Sequence, residues 1–198
     1  LGRLEDSIKN YVNAINFDPN FISAKNNIIQ VLTFHNPKNL DDNIFTKSNS
    51  DLQSIDIPYK EHHEISDEEV ILFYKKCKEI SDKNFKNFNF QLSQIWRSNT
   101  INLGCNRHFD IFNNFKVIPE YCFGCFKVQV ELYSVLDLIK LYFVFDKLSL
   151  NENNSRKCMI ELREIVGGSY KGLIYCSSID EANNILKDLK NILDKKIN

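Results

Sequence analysis

The 198-residue chain holds only six glycines, four prolines, one methionine and one tryptophan. So little glycine and proline excludes collagen-like and Gly/Pro-rich linker architectures, and it leaves few sharp turns. A formal net charge of −1 excludes a strongly basic nucleic-acid binder and an acidic tail protein. Long apolar runs are lacking too. The most apolar stretch, 132–150, is broken by Asp137, Lys140, Asp146 and Lys147, which are costly in lipid, so no membrane span is expected. The opening residues are polar and show no apolar core of a secretory leader. There is no glycine-rich phosphate loop, no H-E-x-x-H helix and no G-x-S-x-G elbow. A non-catalytic role is therefore expected, with an enzyme left open only as a site distributed over the fold or as the accessory part of a larger enzyme.

What is present suffices for a core: 43% of residues are hydrophobic and 26% charged, which excludes wholesale disorder. The length fits one domain or two small ones. Six cysteines in a chain that can bury a core without staples do not read as a disulfide framework, and a reducing cytoplasm is the expected compartment.

The first 37 residues read as two helices. Leu4, Ile8, Tyr11, Val12 and Ile15 recur at helical spacing, and Asp18-Pro19-Asn20 stops the run. Ala24, Ile28, Ile29, Leu32 and Phe34 make a second stripe, ended by Asn36-Pro37. Gly2, Ser7, Tyr11, Ala14 and Pro19 stand at successive offsets of five, four, three and five. On these residues the segment LGRLEDSIKNYVNAINFDPNFISA resembles the second helix of a tetratricopeptide repeat running into the first helix of the next, with Ser7 where that family usually has Ala. The resemblance covers about a fifth of the chain. It implies a helical array offering a concave groove to a protein partner, and it implies that residues 1–35 end a longer array, because about three repeats are needed to bury a solenoid core.

Residues 36–64 are rich in Asn, Asp, Ser and Lys and read as a linker, with Ile55, Ile57 and Tyr59 as a candidate edge strand. His62 and His63, flanked by Glu61 and Glu64, read as solvated. Ser66-Asp-Glu-Glu69 is a capping-box pattern opening a helix that carries Val70, Phe73, Tyr74, Cys77 and Ile80, with Cys77 as a small core residue. Residues 84–97 fit either a strand (Phe88, Phe90, Leu92) or a helix (Phe85, Phe88, Leu92, Ile95, Trp96), and the helix is favoured.

The sharpest motif is Cys105-Asn-Arg-His108, then thirteen residues, then Cys122-Phe-Gly-Cys125. Two pairs of ligands, each separated by two residues, supply three sulfurs and one nitrogen. That set suits one zinc ion in a closed, structural, tetrahedral site. Cys105, His108, Cys122 and Cys125 are the expected ligands, with His108 opening a short helix and Cys125 at the mouth of a strand. A redox Cys122/Cys125 pair is less consistent, because a strand rather than a helix follows Cys125. An iron–sulfur cluster usually wants four thiolates. Four protein ligands fill the shell, so the site argues for stability rather than chemistry.

The remainder reads β-α-β-β-α. Phe126–Leu132 alternates apolar and polar, and Ser134 caps a helix carrying Val135, Leu138, Ile139, Leu141, Tyr142 and Phe145. A strand follows over 157–163, with Cys158, Ile160 and Leu162 on one face. Gly167-Gly168 turns into the next strand over 170–176, and Ser178 to Glu181 caps a last amphipathic helix. Cys158 and Cys176 are expected in the core. The order resembles a ferredoxin-like unit lacking its final strand, which lies beyond Asn198 or is supplied from upstream. Such a sheet also invites comparison with RNA-recognition folds. Its open face would carry Lys127, Gln129, Glu131, Met159, Glu161, Leu173 and Tyr175: one aromatic and two glutamates that repel phosphate. Nine basic against eight acidic residues from Cys105 to Cys176 make no basic stripe, so nucleic acid is not the expected partner, and a nucleic-acid-associated accessory domain is kept as the alternative reading. The expectation is thus an α+β chain: a repeat-like helical hairpin (1–35), a linker (36–64) and a zinc-stabilised ferredoxin-like domain (65–198), acting as a protein-interaction scaffold.

Overall fold

The computed structural model describes residues 2–33, 35–38, 43–85, 93–97, 106–116 and 126–197. The chain is α+β, and it divides into two compact units: one built from 1–57 and 71–91, the other from 58–70 and 92–198.

In the first unit, α1 (Gly2–Phe17) and α2 (Ile22–Leu32) meet through Ile8, Ile15, Ala24, Ile28 and Leu32, all buried. The turn between them is an aspartate device: Asp18 Oδ1 accepts from Asn20 N at 2.9 Å, and Pro19 prevents the helix from continuing. The helix α3 (Ile44–Gln53) lies inside the stretch read as a linker. Asn43 caps it, its side chain accepting from Phe45 N at 2.8 Å. Its buried face is Phe45, Thr46 and Ser48, two of them polar, which is why an apolar count passes over it. Phe45 completes the α1–α2 core, and its ring lies 5.1 Å from that of Phe85. The candidate edge strand over 55–59 does not form; these residues are irregular.

The helix α4 (Asp67–Asn84) begins in the sheet unit with the expected capping box: Glu69 N donates to Ser66 Oγ at 3.2 Å, and Ser66 N donates to the Glu69 carboxylate at 3.0 Å. The expectation of a helix over 84–97 is corrected at its end, where Gln94–Arg97 is a strand, β1; residues 86–92 lie outside the described part. The helix α5 (Asn106–Phe115) precedes β2 (Phe126–Leu132), α6 (Val135–Lys147), β3 (Arg156–Ile160), β4 (Tyr170–Cys176) and α7 (Ile179–Lys196). The four strands form one antiparallel sheet in the order β1-β3-β4-β2. The fourth strand therefore comes from upstream, beside β3.

One sheet face is buried. On it lie Val128, Cys158, Ile174 and Cys176, with Gly172 placed where Leu141 and Phe145 of α6 press against β4. The residue α6 buries most unexpectedly is Lys140, whose ammonium meets Asp67 at 2.8 Å. The segment 59–65 is clamped to the end of α7: Lys196 donates to the Lys60 and His63 carbonyls and lies 4.6 Å from the centre of the Tyr59 ring. His63 keeps its imidazole largely exposed.

Both strand cysteines are buried, as expected. Burial pushes the Cys158 thiol up to about 12. An unfolded thiol ionises near 9, so this contribution to stability is whole below that pH and is lost as the pH climbs toward 12. Iodoacetamide at about pH 8 is expected to leave Cys158 and Cys176 unmodified in the native chain and to label both in denaturant. Equal labelling rates in the two states would show that the buried face admits solvent.

Candidate functional site

The expected metal ligands cannot be brought together from the described residues. Cys105, Cys122 and Cys125 lie outside them, and His108 falls within α5 with its side chain outside them. The helix α5 starts one residue after Cys105, and β2 starts one residue after Cys125. Among the described residues, no group of three or more His, Cys, Asp or Glu is arranged to hold a metal ion.

Two surfaces remain. The first is a cleft of about 680 Å³ in the helical unit, walled by α2, α3 and α4. Ile29, Leu32, Phe45, Leu52 and Phe85 give it an apolar floor, with Tyr74 exposed at its rim. Its polar side is held in place by side-chain bonds: Asn84 Nδ2 donates to Ser48 Oγ at 2.8 Å, and Lys78 pairs with Asp82 at 2.5 Å. Cys77 lines this cleft half-buried, and burial raises its thiol above the usual range, so it contributes shape rather than reactivity. Two of the cleft's walls, α3 and α4, are not part of the α1–α2 pair on which the repeat resemblance rests.

The second surface is the other face of the sheet, where Lys127 and Gln129 are exposed and Met159, Lys171 and Leu173 are buried. The register sets Lys127 opposite Tyr175, Gln129 opposite Leu173, Glu131 opposite Lys171 and Lys157 opposite Leu173. Opposed residues of an antiparallel pair share a face, so Lys157 and Lys171 join the residues read from the sequence. The period-two rule already placed them there, since Lys157 precedes Met159 by two and Lys171 precedes Leu173 by two.

Glu161, expected to repel anions, is instead engaged. Its carboxylate accepts a fork from Arg163, 2.8 Å to each oxygen, and takes Lys171 Nζ at 3.3 Å. The Arg163 guanidinium, more than any other partner, holds this carboxyl far below the usual carboxylate range. Lys171 also donates to the Gly167 carbonyl at 2.9 Å, which ties the Glu161 group to the Gly167-Gly168 turn, where Gly168 takes φ +78°.

No helix among the described residues is long and apolar enough to cross a membrane. No protein-family model, curated protein or solved structure matches the chain, so the reading of these two surfaces rests on their own geometry.

Proposed function

We propose that the chain is a non-catalytic protein-interaction protein whose helical unit takes a segment of a partner protein in the cleft between α2, α3 and α4. The observation that carries this reading is the cleft itself: about 680 Å³, with a mostly aliphatic and aromatic floor beside an ordered polar side. That is the lining by which proteins accept apolar anchors from a partner segment. The tetratricopeptide reading of residues 1–35 is supported by Ile8 and Ile15 meeting Ala24 and Ile28, with the small residue Ala14 packed against the same cluster.

The second part of the proposal concerns the sheet unit. One zinc ion, held by Cys105, His108, Cys122 and Cys125, joins the start of α5 to the start of β2; the ligand chemistry and the two flanking elements support it. A ferredoxin-like arrangement is supported by β4 lying between β2 and β3, with β2 and β3 joined through α6. The fourth strand departs from that pattern, because β1 pairs with β3 instead of lying beside β2. A cytoplasmic home is supported by the buried thiols Cys158 and Cys176.

The test is to pan a random peptide library on the intact chain. Enriched peptides are expected to share apolar anchors. Tyr74→Ala, at an exposed position on the rim, and Leu52→Asp are expected to weaken them by about thirtyfold, the size of a hot-spot loss near 2 kcal/mol. Enriched peptides whose binding ignores both substitutions would remove the cleft from consideration.

A further inference from the structure

Among the described residues, β2 is an edge strand: β4 pairs along one side of it over all seven residues, and no strand lies along the other. The register shows which backbone groups that edge presents. Tyr175 N donates to Ser155 O at 2.9 Å, and Glu161 N donates to Ser169 O at 2.8 Å. Both bonds belong to the β3–β4 ladder, so the odd-numbered residues of β4 turn their N–H and C=O groups toward β3. The even-numbered residues of β4 therefore face β2. They stand opposite the even-numbered residues of β2, Ile174 against Val128 and Gly172 against Val130. The N–H and C=O groups of Lys127, Gln129 and Glu131 are thus the ones that point away from the sheet. All three residues are exposed. The strand has no proline, no glycine and no bulge, which are the usual guards of an edge.

We propose that this edge pairs with the same edge of a second copy of the chain, antiparallel and centred on Gln129. Gln129 then meets the partner's Gln129 on the two-fold axis. Lys127 stands opposite the partner's Glu131, and Glu131 opposite the partner's Lys127. Each of these pairs is one in which both residues direct their backbone groups outward, so the ladder across the axis is complete. On the other face, Val128 stands opposite the partner's Val130. Phe126, 37% exposed in the single chain, gains the partner's Leu132 as an apolar neighbour. The charges select this centre. Centring on Lys127 or on Glu131 would set like charges against each other on the axis. Centring on Val128 or Val130 would shorten the ladder and leave both charges opposite uncharged residues. In the single chain, Glu131 accepts from Gln129 of its own strand at 2.7 Å, and the Lys127 ammonium lies 5.3 Å from the centre of the Tyr175 ring. A strand from a different protein would use the same backbone groups. The match of the edge to itself, in charge as well as in length, favours the second copy. Two-fold pairing also uses up the β2 edge and is closed.

The experiment is sedimentation equilibrium of the intact chain from about 5 to about 300 µM, since so small an interface is expected to associate in the micromolar range. The mass is expected to rise from that of the 23.2 kDa chain toward twice that value. Lys127→Glu and Glu131→Lys each set like charges opposite each other twice in the dimer, and each is expected to weaken association roughly tenfold. Both positions are exposed, so the melting temperature of the dilute chain is expected to hold. Mixed in equal amounts, the two variants are expected to associate with each other as strongly as the parent chain does, because every site then holds opposite charges. Should a single variant melt early, the double exchange Lys127→Glu with Glu131→Lys still decides, and it is expected to restore association. The proposal is overturned by a chain that stays monomeric throughout, by dimers that ignore both single exchanges, or by a mixture and a double exchange that associate no better than the single variants. None of these results bears on the cleft, which belongs to the other unit.

Discussion

Gly172→Val is expected to be the most damaging single substitution in the sheet unit. A Cβ at this position would stand 2.4 Å from Leu141 Cδ2 and 2.9 Å from two ring carbons of Phe145. Neither neighbour has room to give, since Leu141 is 0% and Phe145 1% exposed. The backbone cannot retreat either. Gly172 is paired on both sides, with Val130 of β2 and Cys158 of β3. A single methyl forced into a filled core costs about 1–3 kcal/mol, and the branched valine brings three carbons where alanine brings one. For a chain of this size each kcal/mol moves the melting temperature by about 2–4 °C. Gly172→Val is thus expected to melt at least 10 °C lower, or about that, and Gly172→Ala by about half as much. The cause is tested by pairing: Gly172→Ala with Leu141→Ala is expected to be more stable than the two separate losses add up to, because the methyl fills the space the leucine leaves. Strict additivity, or an unshifted Gly172→Val, would mean that α6 does not sit on β4 as described.

Chelation is expected to have an effect of similar size on the same unit, if the ligand set is what the cysteine spacing indicates. Mass spectrometry of the intact chain, purified without added metal, should find one zinc per molecule. Removing it with a strong chelator should lower the melting transition sharply, since structural zinc contributes on the order of several kcal/mol to folding. Cys122→Ser should reproduce the loss without chelator, and Cys77→Ser should not, because Cys77 lines the helical cleft. The physical reason lies in β2. It pairs with β4 over seven residues and begins directly after Cys125, so a metal at its mouth anchors the first residue of that whole ladder. Metal-free protein with an unchanged melting temperature in Cys122→Ser would leave the cysteines as unlinked thiols and reopen the redox reading.

Much of the secondary structure was legible because it is locally encoded. Ser66, Ser134 and Ser178 each announce a helix, and each hydroxyl accepts from the amide three residues on. The alternation of 126–132 and the Gly167-Gly168 turn before 170–176 placed two of the three strands residue for residue. The third begins at Arg156 and ends at Ile160, shorter than its pattern, although Glu161 N still donates to Ser169 O at 2.8 Å.

The proposed zinc ligands, too, rest on the sequence alone, on the spacing of Cys105, His108, Cys122 and Cys125. What the sequence by itself determined about this protein is therefore whatever a few neighbouring residues decide between them: caps, periodicity, turns and a ligand spacing. Tertiary structure decided the rest. Gln94–Arg97 became a strand because β3, far downstream in the chain, offers it a ladder, and no local preference chooses between strand and helix there. Ile44–Gln53 became a helix around one buried phenylalanine and two hydroxyls with partners at the cap residue Asn43, in α3 itself and at Asn84. Register then turned separate lysines into the pair around Tyr175 and turned a repelling glutamate into an engaged one. The physical reason is the same throughout: the free energy of these features belongs to contacts between segments far apart in the chain, and such contacts exist only once the chain has folded.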